Sequence, residues 1–343
     1  MTDYEKVILI ESGLTSVNLK SLLSDFQLER AELLVKYNRY RAEDLPIKNR
    51  AVEYNKINNK INNDFFSEIV DTKVGYMVGK PITYSINSDD QALKDKLNTF
   101  VTYANLADID ADTLEMMAIC GKAYRLLYIN TDGELTVRLE NPWEVMYIKD
   151  IDEQPKYAIK LVELSLDKQR LYFYDSVNVK IYETYEGEYT LIEDKPHMLQ
   201  GVPIIEFLNN REALGDCDKV IELIDAYDRT FSDVNSEVEQ FRLAYLAFLG
   251  AEFDAEDVEK MKQTGAIALP QGTDAKFITK ELVDAIIEHH LDRGERNILR
   301  FAKSVNFSDH IFATSSGIAL KYKMQLLENK ALKTERKFSK ALR

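Results

Sequence analysis

Apolar residues in the first third of the chain recur every three or four positions. Leu19, Leu22, Leu23 and Phe26, then Leu33, Leu34, Tyr37 and Tyr40, keep helical spacing until Pro46 interrupts. A polar, asparagine-rich run, YNKINNKINND, leads into a second helix with Phe66, Ile69, Val70, Val74, Met77 and Val78 on one stripe. From about Ala123 to Phe207 the period drops to two. KAYRLLYI and ELTVRLE flank Asn130-Thr131-Asp132-Gly133, a hairpin signal. KYAIKLVEL, RLYFYD, VKIYETY and EYTLIE follow, with turns at Asp175-Ser176 and Glu186-Gly187. Their dense Tyr and Phe suit a half-buried antiparallel sheet. The pattern predicts an α+β chain, with an antiparallel β module at about 119–207 inserted among helices.

Beyond Gly215 the period returns to that of a helix. Val220, Ile224, Tyr227, Phe231, Val234, Val238, Phe241, Tyr245 and Phe248 alternate spacings of four and three, an apolar seam of four heptads. LAYLAFLG, at its end, reads equally well as a strand leaving the helix. A compact piece follows: DAEDVEKMKQTG as a short acidic helix, then AIALP and AKFIT as strands around QGTD. A second long helix carries Ile287, Leu291, Ile298, Phe301 and Val305 on one face. NFSDHIFATSSG is a polar-aromatic loop whose Ser315 or Ser316 can cap a basic final helix. The chain stops in mid-pattern at KFSKALR, which points to a truncated chain or a further tail. Neither long helix can bury its seam alone, so both are expected to pack on each other or on neighbouring subunits.

Composition narrows the function classes. The 343 residues allow about two domains. No apolar run reaches the roughly 18 residues of a membrane helix, and the N-terminal VILI is too short for a signal peptide. Two distant cysteines, Cys120 and Cys217, give no disulfide framework. The net charge of −14 excludes a chain that grips nucleic acid over its whole surface. The charge is uneven, however: residues 321–343 hold six Lys and two Arg against Glu328 and Glu335, so residues 1–320 carry −20.

Candidate chemistry is thin. VGYMVGKPITY resembles a phosphate loop, yet its spacer is three residues, Pro81 replaces the hydroxyl residue, and a helix precedes the glycine. Gly79 reads better as a helix end before Pro81. ADIDAD lacks the Gly and Glu that a calcium loop needs and reads as a polar helix start. His289 and His290 are adjacent, about 100° apart on a helix, which is poor geometry for one zinc. No catalytic residue, cofactor or metal is expected, and the chain is read as no enzyme.

Three runs nevertheless carry a resemblance. NNDFFSEIVDTKVGYMVGKPITY, GVPIIEFLNNREALGDCDKVIELIDAYDRTFSDVNSEVEQF and SSGIALKYKMQLLENKALKTERKFSKALR stand in the same order as similar runs in the portal proteins of tailed bacteriophages, siphovirus type. The resemblance spans most of residues 30–343. It implies the phage portal fold: a wing over 1–215, a first stem helix over 216–243, a clip over 244–281, a second stem helix over 282–305, a tunnel loop over 306–316 and a helix over 317–343. The chain ends before the family's C-terminal crown.

The resemblance further implies a dodecameric ring at one capsid vertex of the virion, assembled in the host cytoplasm. Double-stranded DNA would pass through it during packaging and ejection, held weakly and without sequence preference. The partners implied are further copies of the chain, the terminase large subunit, the head–tail adaptor, and major capsid and scaffolding proteins, with no membrane. Arg293, Arg296, Arg300, Lys303 and Lys321, with His310 and Phe312 of the loop, become candidates to line the DNA channel. Ion pairing with Glu288, Asp292 and Glu295 is an equal reading for the stem cations. Asp254, Glu256, Asp257 and Glu259 become candidates to meet a partner at the clip. Val220, Ile224, Tyr227, Phe231, Val234, Val238 and Phe241 are expected to pack the stem. The competing reading is a coiled-coil scaffolding or adaptor protein that dimerises through the 220–248 heptads.

Overall fold

The computed structural model describes residues 1–51, 57–241, 245–249, 274–278, 284–306 and 317–343. Its helices are α1 (Asp3–Glu11), α2 (Ser16–Tyr40), α3 (Phe65–Val78), α4 (Gln91–Tyr103), α5 (Leu106–Cys120), α6 (Ile221–Phe241), α7 (Asp284–Ala302) and α8 (Gly317–Leu342). Between α5 and α6 run β1 (Lys122–Ile129), β2 (Leu135–Glu140), β3 (Val145–Lys149), β4 (Pro155–Ser165), β5 (Lys168–Tyr174), β6 (Asn178–Tyr185), β7 (Glu188–Pro196) and β8 (Ile204–Leu208). β9 (Tyr245–Leu249) and β10 (Asp274–Ile278) lie between α6 and α7. The chain divides into two compact units. Unit 1 is residues 1–45, 64–222 and 298–343; unit 2 is residues 46–63 and 223–297.

In unit 1 the β module is two sheets. One is a five-stranded meander in the order β3-β4-β5-β6-β7; the other is three-stranded, β2-β1-β8. β4 and β5 show why the five-stranded sheet stays in place. Ile159, Leu161, Leu171 and Phe173 point to a core shared with Leu19, Leu22, Leu23 and Phe26 of α2. Their alternates Ala158 and Tyr174 enter a second core with Tyr124, Leu126 and Ile204 of the smaller sheet. Each fully buried Leu here contributes about 1.5–3 kcal/mol through apolar surface removed from water. The end of the sheet around Ala158, Tyr174 and Val179 is therefore covered on both faces, where the sequence pattern suggested a half-buried sheet. Aromatic residues sit on both sets of alternate positions at that end, while Lys168, Arg170 and Glu183 keep the other end of the second face polar.

The smaller sheet is fastened to α5. Gly121 ends that helix at φ 84, and a Cβ there would meet the Ala213 carbonyl at 2.0 Å. The Asp216 N–H donates to the Ala118 carbonyl (2.7 Å) and the Asn209 N–H to the Gly121 carbonyl (2.9 Å). The segment after β8 thus satisfies the last carbonyls of α5, which have no partner within the helix. Gly215 is equally confined, since its Cβ would lie 2.3 Å from the Ile119 carbonyl.

Several expectations meet their limits here. VGYMVGKPITY ends α3 at Val78, with Gly79 as its cap, but Gly79 has right-handed φ (−58°). The helix stops because of Pro81, which disfavours helical geometry in the residue before it. The helix expected over 216–243 begins at Ile221, because residues 209–220 form the turns that close α5. The apolar seam does not run to Phe248: α6 ends at Phe241, and Tyr245–Leu249 is β9, paired antiparallel with β10. Val220 and Ile224 are buried, Tyr227, Phe231 and Val234 are half-buried, and Val238 is 46% exposed. On α7, which spans Asp284–Ala302 within the expected 282–305, Phe301 is 53% exposed while its neighbour Leu299 is buried. In unit 2, Tyr227 of α6 meets α7 at Gly294, where a Cβ would stand 2.9 Å from the Tyr227 ring. α1, α4 and β3 were not foreseen.

Candidate functional site

Arg293, Arg296 and Arg300 are exposed on α7, and Lys303 follows as its cap residue. Spacings of three, four and three put them on one helix face, opposite Gly294 and Ile298. Arg296 Nε donates to the Asp292 carbonyl (3.4 Å), and the Arg300 guanidinium lies 6.0 Å from the Phe301 ring centroid. Lys303 closes the helix in left-handed geometry, φ 58. Its N–H donates to the Arg300 carbonyl (3.2 Å) and the Ser304 N–H to that of Leu299 (2.8 Å), the paired bonds of a Schellman cap. Lys321 is exposed on α8. His310 and Phe312, Asp254, Glu256, Asp257 and Glu259, and the side chain of Phe241 lie outside the described residues.

The structure also assembles a polar node that the sequence pattern did not reveal. Lys73, on the apolar stripe of α3, is 1% exposed. Its ammonium donates to Asn209 Oδ1 (2.6 Å) and Asp216 Oδ1 (3.2 Å). Asp216 Oδ2 lies 3.1 Å away, off the line of a hydrogen bond. Asn209 Nδ2 donates to Asp216 Oδ1 and to the Leu214 carbonyl, both at 2.9 Å. From α8, Thr334 Oγ1 donates to Asn209 Oδ1 (3.0 Å), while Lys330 reaches Asp216 (3.4 Å) and the Ala302 carbonyl at the end of α7 (2.8 Å). Burial lowers the Lys73 pKa to about 8; Asp216 opposes that shift and Lys330 adds to it.

The node forms one wall of a recess of about 600 Å³ in unit 1. Lys330, Lys333, Arg336, Lys337 and Lys340 line it from α8. Arg211 and Lys219 line it from the turns after β8, and Lys303 from the end of α7. Against these eight cations stand only Glu212 and Asp216. Five of the eight cations in residues 321–343 thus line the recess, while Leu327, Ala331 and Phe338 are buried on another face of α8.

A second buried pair lies in the same unit. Arg125 of β1 donates to Asp110 (2.8 Å), Thr113 (2.8 Å) and the Ile109 carbonyl (3.2 Å) on α5. Its guanidinium stacks 4.5 Å from the Phe207 ring centroid and 5.3 Å from that of Phe338. The Tyr84 hydroxyl donates to the same carboxylate (2.7 Å). ADIDAD is therefore a helical segment, as expected, whose middle aspartate is buried. Lys73 and Asp110 were both findable, since each occupies a position that helical spacing assigns to the apolar stripe.

The family model described as "Phage portal protein, SPP1 Gp6-like" matches residues 19–343. The chain belongs to this family. The portal protein of Bacillus phage SPP1 is 24% identical over 317 residues, which cover 85% of this chain and 62% of that protein. The chain thus spans about three-fifths of that relative's length. Among solved structures it is similar to a chain of the virion of a native gene transfer agent particle (12% identity, TM-score 0.47, 71% of this chain and 65% of that one). A chain from the neck of an empty gene transfer agent particle is similar at 11% identity and TM-score 0.46, over 71% and 66%. Among the described residues, no group of three or more His, Cys, Asp or Glu could hold a metal ion. None of its described helices is long and apolar enough to cross a membrane. Burial raises the Cys120 thiol to about 12 and pushes Cys217 higher still, so neither is poised as a nucleophile.

Proposed function

We propose that the chain is a portal subunit that assembles with its own copies into a ring at one capsid vertex of a phage virion. The ring is a conduit for double-stranded DNA during packaging and ejection, and a docking point for terminase and a head–tail adaptor. The observation that carries this reading is the family match over residues 19–343. In this reading residues 1–215 are the wing, α6 and α7 are the stem helices, 244–281 the clip and 306–316 the tunnel loop. Subunit number is expected to be twelve, by analogy with the family.

Electrostatics support the reading. A conduit must let DNA slide, so tight phosphate binding would defeat it. An acidic chain of net −14 repels the duplex, and a few basic rings lower the barrier. Arg293, Arg296, Arg300 and Lys303, exposed on one face of α7 and its cap, are suited to form such rings.

Negative-stain imaging of the purified chain tests the proposal. Rings with a central channel wide enough for a duplex are expected; a dimeric rod would refute them. Replacing Arg293, Arg296 and Arg300 with Glu is expected to impair DNA packaging and retention while rings persist. Unchanged packaging would remove these residues from the channel.

A further inference from the structure

The recess beside the Lys73 node is too small for a duplex. At about 600 Å³ it has the size of a small-ligand pocket, with room for a few side chains. Its eight cations exceed its carboxylates by six, and Asp216 is already held by Lys73 and Lys330. It also offers apolar surface at Leu214 and at the half-exposed ring of Phe301. An occupant must therefore bring negative charge and an apolar tip on a narrow support.

We propose that the recess docks the turn Asp150–Glu153 of a second copy of the chain. The inference rests on the ring reading above and names one contact within it. In that turn, Asp150 Oδ1 accepts the N–H groups of Asp152 (2.9 Å) and Gln154 (2.8 Å), and the Glu153 N–H donates to the Asp150 carbonyl (3.1 Å). The turn is thus formed before it docks and loses little conformational entropy on binding. It presents Ile151, 83% exposed, between Asp150 and Asp152, with Glu153 beside them. Asp152 and Glu153 make no ion pair among the described residues. An apolar tip flanked by carboxylates complements an apolar floor rimmed by Lys333, Arg336 and Lys340, all exposed. DNA phosphates would satisfy the cations but not the apolar floor, and the −20 of residues 1–320 repels them.

The test measures the assembled fraction of the purified full chain by sedimentation at fixed protein concentration. Lys333→Glu with Arg336→Glu and Lys340→Glu is expected to reduce assembly at least about tenfold, since like charges then face each other. Asp152→Lys with Glu153→Lys is expected to do the same. A chain carrying all five substitutions, with the charges exchanged, is expected to recover most of the assembly. Far-UV circular dichroism matching the wild type separates lost docking from lost fold. If the α8 variant unfolds, the exposed turn variant carries the test alone. A wild type that assembles while every variant assembles equally well overturns the docking but leaves the ring reading standing. A wild type that stays monomeric at all concentrations overturns both. Normal assembly of the α8 variant with lost retention of a double-stranded oligonucleotide would make the recess a DNA site and overturn the proposal.

Discussion

Two of the cation–carboxylate pairs buried in unit 1, Arg125–Asp110 and Lys73–Asp216, are built on different principles. Arg125–Asp110 is closed: the guanidinium fans its donors over three acceptors on α5 and lies against two aromatic rings. Lys73–Asp216 borders a basic recess, and its partners come from α3, the turns after β8, and α8. An arginine keeps its charge at any pH the fold survives, so its site must stay fully compensated. A buried lysine can shed its proton, and Lys73, with its pKa lowered to about 8 by burial, is close to doing so. One pair fixes structure permanently; the other can respond to the charge around it.

Removing one partner from each pair separates the two cases most sharply. Asp110→Ala strands a permanent charge and is expected to cost about 3–5 kcal/mol, nearly constant between pH 6 and 9, in urea denaturation. A loss that vanished on raising the pH would break the comparison. Asp216→Ala is expected to cost about 1–3 kcal/mol near neutral pH, because Lys73 escapes by deprotonation. That penalty should shrink as the pH rises.

The wild-type pH profile gives a smaller signal. With a folded pKa of about 8, below the ordinary lysine value of 10.5, the unfolded chain binds more protons between those limits, so the Lys73 contribution to stability rises with pH across that window. Lys73→Met should remove this rise; tyrosines such as Tyr124, raised by burial, oppose it only above about pH 10. An unchanged slope in the Met variant would assign the rise elsewhere. Least in size is Lys303→Gly. Its left-handed backbone suits glycine, so the substitution should stabilise the chain by up to about 1 kcal/mol while removing one cation from the lip of the recess. A destabilised variant would mean that the lysine holds more than its cap.

Periodicity alone makes much of unit 1 legible. KAYRLLYI, ELTVRLE, RLYFYD and VKIYETY are strands, and Glu186-Gly187 is a turn with both residues at positive φ. It could not tell one sheet from two, because alternation reports which residues are buried, not which layer covers them. It also over-extended the α6 seam: Tyr245 and Phe248 fit the heptad but equally fit β9, and short apolar runs support either element. The polar nodes were obscured for a different reason. Lys73 and Asp110 look like interruptions of an apolar stripe, and their partners Asp216 and Arg125 lie far along the chain. The basic final helix was visible as a charge run, whereas its concentration on one wall of a recess required the path of α8 past the turns after β8.

The bond between Thr334 and Asn209 joins residues 125 positions apart, with all of α6, β9, β10 and α7 between them. Synthesis proceeds from the N-terminus and domains fold as their residues emerge. The two β-sheet cores can therefore close early, while Lys73, Asn209 and Asp216 wait for Lys330 and Thr334 to arrive. Until then the recess has no α8 wall, and a nascent chain has no finished pocket with which to capture a neighbour. The order of translation thus separates the folding of a subunit from its readiness to assemble.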